Sequence, residues 1–69
     1  MSKIYEVPKG KTKARVDQAW GDMMDLGKED IGYIDGYVQA ADNRGYAVFI
    51  RLSDGWIEYA PLHCITAIN

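Results

Sequence analysis

From residue 31 onward, apolar and polar side chains alternate with the period of two that marks β-strands, where successive residues point to opposite faces. Residues 31–40 set Gly32, Ile34, Gly36, Val38 and Ala40 on one face and Tyr33, Asp35, Tyr37 and Gln39 on the other. Residues 46–52 set Tyr46, Val48, Ile50 and Leu52 against Ala47, Phe49 and Arg51. A third run, 56–60, follows the turn-forming dipeptide Asp54-Gly55. The pattern therefore predicts a three-stranded antiparallel meander.

Apolar matching supplies a register. Joining the first two runs through residues 41–45 pairs Ala40 with Tyr46, Val38 with Val48, Gly36 with Ile50 and Ile34 with Leu52. A two-residue Asp54-Gly55 turn of type I′ then pairs Leu52 with Ile57 and Ile50 with Tyr59, and places Arg51 between Asp35 and Glu58. On this register Ile34, Val38, Val48, Ile50, Leu52, Ile57 and Tyr59 form the core. Tyr33, Tyr37, Phe49 and Trp56 project outward around Arg51.

The first half of the chain is less regular. Residues 3–7 suit a short strand ended by Pro8, which lacks the amide a ladder needs. Residues 12–17 alternate Ala14 and Val16 with Lys13 and Arg15, as a first long strand would. In 17–30, Ala19, Trp20, Met23 and Met24 fall at helical spacing, but Gly21 interrupts them; a long loop with at most one short helix is expected. Pro61-Leu62-His63-Cys64 reads as a tight turn before a closing strand at 65–68.

A length of 69 residues supports one domain with a single small core. The longest apolar run, Ala47-Val48-Phe49-Ile50, is far below the ~20 residues that span a bilayer, so no membrane association and a cytoplasmic location are expected. One cysteine cannot form an internal disulfide. Charge is uneven: Lys3, Lys9, Lys11, Lys13 and Arg15 face Glu6 in the first fifteen residues, while later residues carry an acidic excess concentrated at Asp17, Asp22, Asp25, Glu29, Asp30 and Asp35. Lys9, Lys11, Lys13 and Arg15 are the candidate phosphate-binding pole. Asp22, Asp25, Glu29 and Asp30 form a candidate acidic docking surface for a basic protein.

The order of short strand, long acidic loop, meander, tight turn and closing strand resembles an SH3-like small β-barrel. Leu26-Gly27-Lys28-Glu29-Asp30-Ile31-Gly32 is similar to the lead-in to the second strand of such barrels, and Ala60-Pro61-Leu62-His63-Cys64-Ile65 to their turn into the last. The resemblance covers residues 12–68 and leaves 1–11 outside. It implies a mainly β fold of about five antiparallel strands and says little of function. The small acidic single module also resembles phage-encoded accessory proteins, including anti-CRISPR inhibitors of bacterial defence complexes.

Catalytic chemistry has little to stand on. His63 and Cys64 are adjacent, and neighbours in a tight turn point apart rather than share a proton. No ligand set for zinc and no spaced oxygen loop for calcium is present in the sequence, so neither metal nor cofactor is expected. The expected function is non-enzymatic protein binding, as an inhibitor or adaptor that occludes a partner surface. Its expected anchors are Tyr33, Tyr37, Phe49, Arg51 and Trp56, the residue types enriched in interface centres. Nucleic-acid binding through the basic pole is the alternative. Burial of the aromatic face in a homodimer or beneath residues 1–11 is also open.

Overall fold

The computed structural model describes residues 6–18, 26–41 and 43–68. Among the described residues five strands form one antiparallel sheet: β1 (Thr12–Val16), β2 (Ile31–Gln39), β3 (Gly45–Arg51), β4 (Ile57–Pro61) and β5 (Ile65–Ala67). A single 3₁₀ turn, Leu62–Cys64, links β4 to β5. The strand order is β4-β3-β2-β1-β5, so the meander is continued by β1, and β5 closes on β1's far side. The mainly β, five-strand expectation holds. Among the described residues no ladder joins β4 to β5, so the sheet is open at both edges rather than closed as a barrel. Glu6 and Val7 lie outside any strand. The rest of the strand expected at 3–7, and the 19–25 stretch where a short helix was weighed, fall outside the described residues.

Both hairpins turn earlier than expected. Between β2 and β3, the Ala40 amide donates to Arg44 O (2.9 Å) and Asn43 N–H to Ala40 O (3.0 Å), with Asn43 at φ 68°. A three-residue turn ending in a left-handed residue has this bonding, and asparagine tolerates that conformation. Val38 therefore faces Tyr46, not Val48. Between β3 and β4, Gly55 N–H donates to Arg51 O (2.8 Å) and Arg51 N–H to Trp56 O (2.8 Å), with Gly55 at φ 75°. Leu52–Gly55 is thus a four-residue loop whose glycine takes the left-handed position, and Ile50 faces Ile57 rather than Tyr59.

Each turn correction is a slip of two residues, which by itself leaves side chains on their own faces. The larger correction concerns which face is inside. Phe49 is fully buried (0% exposed), and Ala14, Val16, Leu26, Ile34, Ala47, Ala60 and Cys64 are buried with it at no more than 8% exposure. Ile57 and Tyr59, expected in the core, are 62% and 63% exposed. Val38 is also exposed, Val48 and Ile50 are half-buried, and Leu52 sits in the turn.

Two features explain the inversion. First, a bulge at Asp35 shifts the β2–β3 register between Ile34 and Gly36. Because a bulge adds one residue to one strand, Ile34 comes onto the face of Phe49 while Gly36 and Val38 stay on that of Val48. Second, the inner face is lined by small residues, Ala14 facing Gly32 and Ala47 facing Ala60. The Phe49 ring lies across Gly32, where a Cβ would come within 2.5 Å of Phe49 Cζ and 2.2 Å of Ile50 O. These small residues leave room on the inner face for one aromatic ring beside Val16 and Ile34, while Val48, Ile50, Ile57 and Tyr59 stand on the opposite face.

Gly32→Ala is expected to cost about 2–3 kcal/mol, since the added methyl overpacks against backbone as well as ring. Phe49→Ala should cost ~3–5 kcal/mol by opening the core. Thermal denaturation checks both; a Phe49→Ala melting temperature within a few degrees of wild type would contradict the inward assignment.

Candidate functional site

The outer face of the meander is built by strand pairing. Cross-strand rows run Lys13–Tyr33–Ile50–Ile57, then Gly36–Val48–Tyr59, then Val38–Tyr46–Pro61. Strand geometry brings these side chains within contact range of one another, because directly opposed residues lie ~5 Å apart. Apart from Lys13 and the buried Pro61, they make a contiguous apolar surface with three tyrosines, in which Val38, Ile57 and Tyr59 are exposed and the others half-buried. The cations Lys13 and Arg15 project from β1 on the same side, opposite the buried Ala14 and Val16. Monomeric proteins rarely expose such a continuous apolar patch without a use for it.

At one end of this face lies a groove of about 390 Å³ lined by Arg44, Gly45, Tyr46, Pro61, Leu62 and His63. Gly45 shapes its floor: a Cβ there would come within 2.9 Å of Leu62 Cδ1. At the other end of the meander, on the inner-face side, is a charged clamp. Arg51 donates through Nε and Nη2 to the two carboxylate oxygens of Asp54 (2.9 and 2.6 Å) and through Nη1 to Asp30 Oδ2 (3.1 Å). Asp30 also accepts the Gly27 N–H (2.8 Å), so one arginine ties the lead-in of β2 to the β3–β4 loop. The fork of the guanidinium and the paired oxygens of Asp54 match in geometry.

The expected anchors are thereby separated. Phe49 is core. Tyr33 is half-buried on the outer face, while Tyr37 (66% exposed) and Trp56 sit on the inner-face side at opposite ends of the meander, opposite Ala47 and Arg51 respectively. Trp56 is held by its Nε1–H, which donates to Glu58 Oε1 (3.1 Å). Arg51 does lie between two carboxylates, but they are Asp30 and Asp54; Asp35 pairs instead with Lys11 (3.1 Å). Of the acidic set, Glu29 and Asp30 adjoin in the turn before β2, and Asp22 and Asp25 lie outside the described residues. Of the basic set, Lys9 is exposed, Lys11 and Arg15 are already ion-paired to Asp35 and Asp17, and Lys13 borders Tyr33. Ile57, Tyr59 and Tyr46 were missed as surface residues. The signal for them was the phase of Ala47 and Ala60, whose burial puts Tyr46, Ile57 and Tyr59 on the opposite face.

Among the described residues no group of His, Cys, Asp or Glu is arranged to hold a metal ion, and no helix is long and apolar enough to cross a membrane. Cys64 is buried, and burial pushes its thiol pKa up, away from the thiolate a nucleophile requires. Ellman's reagent should therefore label Cys64 only as fast as the chain opens, and rapid native labelling would contradict this.

The Arg51 clamp carries a pH signature. Hydrogen bonding from Arg51, aided by the Trp56 N–H, holds the Asp54 carboxyl at about 2 against an ordinary 3.8. A carboxylate with a depressed folded pKa adds stability above its unfolded value, and this is lost as pH falls from about 4 toward 2. Asp54→Asn keeps an acceptor for Trp56 but should flatten this acid limb of the urea midpoint; an unchanged limb would show that the pair contributes nothing. Comparison with known proteins yields no match to a family model, a curated protein or a solved structure.

Proposed function

We propose that this chain is a non-catalytic protein-binding module that occludes a partner surface through the outer face of its meander. The observation that carries this reading is the exposure of Ile57 and Tyr59 on an apolar face continuous across three strands. The strand order, with a 3₁₀ turn between the last two strands, supports an SH3-like description of the fold. An inhibitor or adaptor of the kind found among phage and mobile-element accessory proteins, anti-defence proteins included, would act by such occlusion.

Nucleic-acid binding is the second reading, and Lys13 beside Tyr33 is what favours it. It is the weaker one, because Arg15 and Lys11 are engaged by Asp17 and Asp35, and the net charge is −2.

The test combines Ile57→Ser with Tyr59→Ser. Affinity for a partner identified by cross-linking from residue 59 should fall more than tenfold, as interface anchors often contribute ~2 kcal/mol or more. Stability should change by only ~1 kcal/mol, since neither side chain is core. Binding should also be nearly independent of salt, whereas a nucleic-acid contact would weaken steeply. Unchanged affinity in the double variant would refute the face as the docking site, and a dimer dissolved by it in light scattering would assign the face to self-association.

A further inference from the structure

We propose that Asp54 is a latent covalent modification site: Arg51 holds the Asp54-Gly55 link against isomerisation to isoaspartate, and opening of this clamp lets the reaction proceed and makes the opening permanent. The inference is independent of the docking face.

The chemistry is internal to the chain. A C–N bond forms between the Gly55 nitrogen and Asp54 Cγ, the amide proton and the hydroxyl of the protonated carboxyl leave as water, and a five-membered succinimide results. Water then cleaves the ring at the original Asp54 carbonyl carbon, so that the chain runs through Cγ and a carboxylate remains on Cα. The water lost is the water regained, and no other reactant is needed. A glycine successor favours the attack, because no Cβ crowds the nitrogen. The sequence holds two such dipeptides, Asp35-Gly36 and Asp54-Gly55.

Their surroundings differ. Cyclisation at Asp54 requires a protonated carboxyl, turned toward Gly55, and a Gly55 nitrogen able to give up its proton. Arg51 Nε and Nη2 donate to the two carboxylate oxygens (2.9 and 2.6 Å), which favours the ionised, unreactive form. The Arg51 backbone oxygen accepts the Gly55 N–H (2.8 Å), so the same residue engages the attacking nitrogen. The Trp56 N–H donates to Asp54 Oδ1 (3.0 Å) and fixes the carboxylate's rotation in an Asx turn. Asp54 is half-exposed, so water reaches it as soon as these bonds break. Asp35 lies instead at the β2 bulge, with its carboxylate against Lys11 Nζ (3.1 Å) and Gly36 paired to Val48 in the ladder. Asp35 therefore reacts when the sheet opens, and Asp54 when the turn alone opens, which is the smaller event. Isoaspartate cannot refit the clamp, since its backbone is one methylene longer and its carboxylate one carbon shorter in reach.

The full-length wild type and Arg51→Met, which keeps the apolar stem but removes the fork, are incubated folded at neutral pH. Isomerisation leaves the mass unchanged, so each position is read by proteolytic mapping with electron-transfer fragmentation. Wild type unfolded in guanidinium gives the unprotected rate. Asp54 is expected to convert roughly tenfold or more slowly in the folded wild type than in the unfolded chain, and Arg51→Met to accelerate Asp54 by roughly tenfold while Asp35 keeps its folded rate. Conversion of Asp54 in folded wild type at the unfolded rate would overturn the proposal. So would an unchanged rate in the variant, or equal acceleration at both positions, which would assign the protection to the sheet as a whole. In the purified isoaspartate form the Gly55 and Trp56 amides should exchange freely with solvent; protection retained at wild-type level would refute permanent opening.

Discussion

The packing of the Phe49 ring over the bare backbone of Gly32 decides how the rest of this sheet is arranged. With a Cβ at position 32 the ring could not lie where it does, because that atom would fall within 2.5 Å of the ring and 2.2 Å of the Ile50 carbonyl oxygen. Its presence there commits the face bearing Ala47 and Ala60 to the interior. Strand geometry then obliges Tyr46, Val48, Ile50, Ile57 and Tyr59 to stand on the opposite side. The core is accordingly small, with one aromatic ring, Leu26, Val16 and Cys64 its largest fully buried members.

That arrangement places the charged groups at the margins of the sheet. Arg51, two residues beyond Phe49 on the same face, is too polar for the interior and reaches the sheet end, where Asp30 and Asp54 receive it. The clamp joins two turns that are distant in sequence, which a half-exposed ion pair does more by restricting loop geometry than by adding much net energy. At the β1–β5 side, the Thr66 hydroxyl donates to Asp17, which also accepts from Arg15, and the hydrogen bond from Thr66 is the main cause of a lowered Asp17 pKa. Such margins leave the centre of the outer face apolar and uncharged.

Strand limits in the meander to within a residue or so, and the grouping of residues into faces within β1, β3 and β4, were legible in the alternation. Ile50 and Ile57 share a face, as do Val48 and Tyr59, because slips of two residues conserve side-chain direction. The exact partners were not legible. Apolar matching rewards any even-numbered slip equally along such uniform strands, so turn chemistry had to choose: Asn43 and Gly55 each adopt positive φ at the end of a turn longer or shorter than apolar matching selects. The candidate site suffered most, since Tyr33, Tyr37, Phe49 and Trp56 were grouped on an unbroken period of two that the Asp35 bulge interrupts.

By itself, then, the sequence determined a small antiparallel sheet with two-faced strands and a lone cysteine. These follow from local properties: side-chain period, turn residues and composition. Which face became the core was decided only in three dimensions. Both faces of β2–β4 are apolar enough to be buried, and hydrophobicity alone favours the one with more branched side chains. Packing chose the other: the Phe49 ring fits across Gly32, where no Cβ stands in its way, and the alanines leave room beside it for Val16 and Ile34.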